Sequence, residues 1–191
     1  MRNRMVLMVA VATALLAGCG DGESAPGPPA ASKPATSVAV AQAPAPGDTA
    51  PKQGKPSGDT ALTVTDVRLG SQPGFDRVVY ELGGAGTPGW IVRYTDRAVQ
   101  DASGNPVDVA GRSILEVRIL GSAYPFDSGV TPYEGPDPAV DAAVSGIAGV
   151  YRTTVFEGVT QSFIGVRADR PSFTVTTLPN PTRLVVDVAS S

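Results

Sequence analysis

Arg183-Leu184-Val185-Val186-Asp187-Val188 decides the fold, because it repeats the pattern of Arg77-Val78-Val79-Tyr80-Glu81-Leu82: arginine, three apolar residues, an acid, an apolar residue. Side chains alternate with period two along a strand, so the arginine and the acid share one face and the alternate residues, Val78, Tyr80 and Leu82 or Leu184, Val186 and Val188, share the other. Two readings of this echo stand side by side. Either a sandwich carries outward charges on two of its strands, or a half-domain is duplicated.

Working outward, short runs rich in Val, Ile, Thr and aromatic residues recur between Gly, Pro, Asn and Asp. Strands are expected near Ala61 to Leu69, Arg77 to Leu82, Gly89 to Asp96, Ile114 to Leu120, Gly149 to Phe156, Gln161 to Arg167, Ser172 to Thr177 and Arg183 to Ala189. Leu115, Val117 and Ile119 fall on one face, Glu116 and Arg118 on the other; Leu184, Val186 and Val188 oppose Arg183 and Asp187. No segment sustains a helical period, and Pro138 to Ala148 holds at most a turn of helix. The expectation is an all-β domain over residues 60–191, a two-sheet β-sandwich of about eight strands.

The opposite end of the chain is unlike this. Arg2 and Arg4 precede an apolar run from Met5 to Ala17, and Leu16-Ala17-Gly18 leads into Cys19, the single cysteine. The run is short against the roughly 20 apolar residues of a membrane span, and it has the charge, length and small-residue close of a secretory signal peptide. It resembles the bacterial lipobox, which implies diacylglycerol on Cys19 and cleavage after residue 18, with acyl chains such as palmitate anchoring the mature protein at the outer face of the cell membrane. The competing account is an ordinary signal peptide with a chance cysteine. Two or more acyl chains suffice for stable anchoring where one is marginal.

Residues 19–59 are dominated by Ala, Pro, Gly, Ser and Thr and hold all three lysines, Lys33, Lys52 and Lys55. Such a segment buries too little to offset its ordering entropy and is expected to be a disordered tether. It would reach roughly 35 Å as a flexible coil and about 120 Å as polyproline II.

Composition excludes several function classes. Without residues 1–18 the chain has 13 basic and 18 acidic side chains, a formal charge of −5, which offers nucleic acid no basic run. There is no histidine, so Ser-His-Asp and Cys-His nucleophile systems and His-bearing zinc sites are ruled out. Paired carboxylates of the glycosidase kind remain chemically open, but no spacing marks such a pair. Asp127, Glu134, Asp137 and Asp141 match no EF-hand, and no metal or cofactor is expected.

Between Leu120 and Val140 lies a long stretch without strand pattern that carries Tyr124, Phe126 and Tyr133. Loops of this length are frequently functional. The rings either face outward, where they would stack on sugar C–H groups, or pin the loop to the sandwich. Trp90, Val92 and Tyr94 share a face that suits the core, which leaves Arg93 on the other face, available to a peptide carboxylate. Arg93, Tyr124 and Tyr133 are therefore the candidate ligand-binding residues, forming a shallow glycan or stem-peptide site.

The ordered succession of Phe75-Asp76-Arg77-Val78-Val79-Tyr80-Glu81-Leu82, Pro88-Gly89-Trp90-Ile91-Val92-Arg93-Tyr94, Leu115-Glu116-Val117-Arg118-Ile119, Phe156-Glu157-Gly158-Val159-Thr160 and Asn180-Pro181-Thr182-Arg183-Leu184-Val185-Val186-Asp187-Val188 resembles the AMIN-like domain of secreted actinobacterial proteins, related to the AMIN domain of peptidoglycan amidases. The resemblance implies two packed sheets and a non-catalytic role in binding or localising to the cell wall, with peptidoglycan as partner. The alternative is an envelope adaptor or carrier for a partner protein or an apolar ligand. Unlike the amidase arrangement, no catalytic domain is read after the last strand.

Overall fold

The computed structural model of the protein describes residues 47–190; the expected signal peptide, Cys19 and most of the expected tether lie outside the described residues. Nine strands run β1 (Lys52–Gly54), β2 (Ala61–Gln72), β3 (Phe75–Ala85), β4 (Gly89–Thr95), β5 (Ser113–Leu120), β6 (Ile147–Phe156), β7 (Val159–Val166), β8 (Phe173–Leu178) and β9 (Thr182–Ala189), with one helical turn, α1 (Pro125–Ser128). They form two antiparallel sheets, one in the order β1-β4-β5-β7-β6 and the other β2-β3-β9-β8. All eight expected strands are present.

Alternation builds the core between the sheets. Leu115, Val117 and Ile119 of β5 are fully buried, as are Leu184 and Val186 of β9 with Val78 and Tyr80 of β3. Each such side chain contributes about 1.5–3 kcal/mol by leaving water. Aromatic residues that reach between the sheets satisfy their polar atoms there: Tyr80 Oη lies 3.1 Å from Ser162 Oγ, Trp90 Nε1 donates to Thr177 Oγ1 at 3.2 Å, and Tyr94 Oη donates to the Pro171 carbonyl at 2.6 Å. Burial pushes the Tyr80 hydroxyl well above its ordinary value, so it stays protonated and able to donate. Trp90 packs against the core, on the face the sequence assigned to it.

The echo has a structural meaning. β3 and β9 are antiparallel neighbours whose register sets Arg77 opposite Asp187 and Glu81 opposite Arg183. Reading the same pattern in opposite directions places each arginine across from an acid, the favourable cross-strand arrangement. Arg77 holds the buried Asp187 with two parallel bonds of 2.7 and 2.8 Å. Glu81 instead accepts from Arg68 of β2 at 2.6 Å, while Arg183 bonds the carbonyls of Pro179 and Pro181.

One expectation needs correction. The ordered body starts well before residue 60, inside the stretch expected to be tether: Phe173 N donates to Asp48 O at 2.9 Å, and β1 pairs with β4 in the register Lys52↔Val92, Gly54↔Trp90. The physical reason is local. A Cβ on Gly54 would lie 2.6 Å from Trp90 Nε1, so the missing side chain lets the indole seat, while the Lys52 ammonium sits 4.6 Å from the centre of the Phe173 ring. Among the described residues a single turn of helix forms, at Pro125–Ser128, and none within Pro138 to Ala148. Proline near its start and Gly129 in the left-handed conformation at its end (φ 67°) delimit it.

Candidate functional site

The long loop after β5 is built onto the edges of both sheets. Leu62 N donates to Gly121 O at 3.0 Å and Ala123 N to Leu62 O at 2.8 Å, tying the loop to β2. Gly121 turns there at φ 78°, where a Cβ would come within 2.5 Å of Thr60. Thr63 Oγ1 donates to Ala123 O and lies 2.7 Å from Ser128 Oγ, and Tyr133 N donates to Val64 O at 2.8 Å. Ala139 then exchanges both backbone bonds with Val150, at 2.8 and 2.9 Å, which reaches β6 in the other sheet.

Between these ties the loop presents rings to solvent. Tyr124 and Phe126 stack with centroids 5.4 Å apart and planes at 4°, and they are 39% and 81% exposed. Beside Tyr124 runs a groove of about 290 Å³ walled by Thr63, Pro125, Pro132, Thr153, Thr154 and Thr160. The hydroxyls of Thr63 and Thr160 are buried and bonded to Ala123, Ser128 and Ser122, so Thr153 and Thr154 face the groove; an exposed ring face next to them suits a ligand with apolar C–H faces and hydroxyl or amide edges, the chemistry of a glycan.

The three candidate residues are placed apart. Tyr124 belongs to the exposed platform. Tyr133 packs against the core, and its Oη donates to Pro136 O at 3.1 Å. Partial burial and the nearby Asp66 and Asp137 carboxylates raise its hydroxyl above the ordinary value. Arg93 points from β4 to the outer face of the five-stranded sheet, where its Nε and Nη2 both reach Glu116 Oε2 at 2.9 Å. The hydrogen bonds and ring contacts of these three residues are all with other residues, not with one another.

Glu116 itself departs from the solvated face that alternation suggested. It is 6% exposed and accepts from Gln161 Nε2 at 3.0 Å. Gln161 also grips the segment 97–112, donating to Val99 O and accepting from Asp101 N, both at 3.0 Å, and Arg118 pairs with Asp101 at 2.6 Å. This segment lies across the outside of the sheet. Phe163, cross-strand from Glu116 and so on the same face, is buried as well. Burial alone would raise the Glu116 carboxyl, but hydrogen bonds from Gln161 and Arg93, with the charges of Arg93 and Arg118, outweigh it and hold the carboxyl below its ordinary range. Arg93 is therefore part of a polar clamp.

Residues 62–190 match the AMIN-like domain. The chain belongs to the AMIN-like domain family. No curated protein and no solved structure gives a match. Membership carries a coarse functional statement, a peptidoglycan-related role in the cell envelope by a kind of domain that typically binds rather than catalyses. For an AMIN-like domain the useful residues are those the fold leaves accessible. Phe126 and Thr154 are in that position, with Thr153 half-buried beside them, whereas Thr63 and Thr160 are buried. Sequence marks Phe126 as one of three loop aromatics, whereas nothing in the order of Thr153, Thr154 and Thr160 announces a shared wall with Thr63.

Proposed function

We propose that this protein is a lipid-anchored, non-catalytic component of the cell envelope, held to the membrane through Cys19, whose AMIN-like domain binds peptidoglycan. The observation that carries the reading is the stacked, solvent-facing Tyr124–Phe126 pair beside a threonine-lined groove. Exposing two rings costs a monomer solubility without adding to its core, so a surface ring pair marks a contact site. Sugar rings are the natural occupants, with Tyr124 and Phe126 beneath their C–H faces and the groove hydroxyls at their edges. Arg93 and Tyr133 enter this reading as residues that hold the scaffold.

The adaptor reading needs an edge for strand addition or a pocket for an apolar ligand. The β6 edge is blunted: a bulge lies between Tyr151 and Thr154, Arg152 is at φ 52°, and Arg152 N donates to Asp137 Oδ1 at 3.1 Å. Bulges and charges at an edge oppose added strands, which favours the wall-binding reading.

The test is co-sedimentation of the mature chain, carrying Cys19→Ser to keep it soluble, with insoluble peptidoglycan. Retention should fall about tenfold in Tyr124→Ala/Phe126→Ala, since each stacked aromatic contact supplies about 0.5–1.5 kcal/mol and about 1.4 kcal/mol is a factor of ten. Equal retention of the two proteins removes the platform from the function. Separately, cells given an alkyne-tagged palmitate should label the wild type and not Cys19→Ser; an unlabelled wild type ends the anchor proposal.

A further inference from the structure

Three cross-strand arginines face acids, Arg77 opposite Asp187, Arg183 opposite Glu81 and Arg93 opposite Glu116, while Arg68 faces Val79 and Arg118 faces Gln161. Two further arginines meet at the end of the five-stranded sheet. The β5–β7 ladder ends at Ser113↔Val166, and just beyond it Arg112 lies beside Val166, bringing it next to Arg167. The backbone holds them there, because Arg112 N donates to Val166 O at 2.7 Å and Arg167 N to Gly146 O at 2.9 Å. Like charges held near one another repel. Among the described residues neither guanidinium forms an ion pair or donates a hydrogen bond, whereas Arg68, Arg77, Arg93, Arg118, Arg152 and Arg170 all pair with carboxylates.

Both arginines line one open cavity of about 370 Å³, together with Ser145, Gly146, Asp169 and Ser190. Behind its Gly146 wall the buried Asp76 accepts the Gly146 amide at 2.6 Å and forms no ion pair with either arginine. We infer that Arg112 and Arg167 form a binding site for a carboxylate, with a peptide C-terminus as the ligand class. Guanidinium forks match the two oxygens of a carboxylate, and a bound anion turns the repulsion between them into shared attraction. Asp169 on the same wall leaves the lining with a formal charge of +1 from its two arginines, which suits a singly charged carboxylate better than a phosphate carrying about −1.5 to −2. Ser145 and Ser190 offer hydroxyls to the adjoining amide. The site is independent of the ring platform and draws on the envelope reading only for the choice of a peptide probe.

The experiment titrates the mature Cys19→Ser chain with N-acetyl-alanyl-alanine, with the same dipeptide as its C-terminal amide, and with inorganic phosphate, following binding by NMR. The free acid should bind about tenfold or more tightly than the amide, and Arg112→Gln or Arg167→Gln should remove that preference. Acid and amide binding alike, neither binding, or phosphate binding more tightly than the acid each overturn the inference. Thermal melting without ligand guards against misfolding: either variant should melt no lower than wild type, because repulsion is relieved, and a clear fall in Tm would make the pair structural and overturn the site. Phe126→Ala should keep acid binding intact. Wall retention unchanged in Tyr124→Ala/Phe126→Ala, with the acid preference present, would sink the platform alone; retention lost in that variant, with no acid preference in wild type, would sink this site alone.

Discussion

Two segments close the two open sides of the sandwich, and they do it differently. On one side Asp48 bonds β8 and Lys52–Gly54 pairs with β4, so seven residues link the sheets and leave the Phe173 ring fully buried under Lys52. On the other, the loop from Gly121 to Ala139 ties β2 to β6 while holding Phe126 81% exposed. Closure alone does not call for outward rings. The excess on the second side is what function can use, and the contrast separates residues that seal the fold from residues that face a ligand.

Substitutions can break each seal in turn. Gly121→Ala combines a left-handed backbone with a close approach to Thr60 and should cost about 3 kcal/mol, seen as a lower urea midpoint with an unchanged slope. Gly54→Ala drives a methyl into the Trp90 indole and should cost about 2 kcal/mol, with loss of exchange protection at the Lys52–Gly54 amides ahead of global unfolding. If Gly54→Ala proved as stable as wild type, the short side would not be a seal.

The third covering segment, 97–112, adds a pH handle. The Glu116 carboxyl lies below its ordinary value of 4.5 in the folded protein, so its contribution is complete above that value and is lost as pH falls through the folded value. Melting temperatures from pH 6 down to pH 3 should drop for wild type and drop less for Glu116→Gln. Parallel profiles would show that the clamp does not depend on this charge. The smallest effect belongs to the exposed platform. Phe126→Ala should change stability by no more than about 0.5 kcal/mol while wall retention falls, and a large stability loss would mean that the ring is a seal after all.

Alternation made eight strands legible because each carries enough β-branched and aromatic residues to show period two, as Leu115, Val117 and Ile119 do. Lys52-Gln53-Gly54 carries no such signal. It becomes a strand only because β4 offers an unpaired edge and Trp90 needs the space above Gly54, and that is tertiary information. Faces were legible as well, but not what covers them: Glu116 alternates outward as read, yet segment 97–112 buries it. The same limit divides the loop aromatics. Tyr124 and Tyr133 look alike in sequence, and only the bond from Tyr133 N to Val64 sends one ring toward the core while the other stays at the surface. The meeting of Arg112 and Arg167 at one end of the sheet follows from the β5–β7 register and the bond from Arg112 N to Val166 O, which no local pattern supplies.

Trp90 is the single tryptophan of the chain, and its indole touches Gly54 while bonding Thr177 across the sandwich. The molecule thus carries its own optical probe at the junction of the amino-terminal strand with both sheets. A red shift in emission that precedes loss of the far-ultraviolet signal would report that strand lifting away from an otherwise intact body.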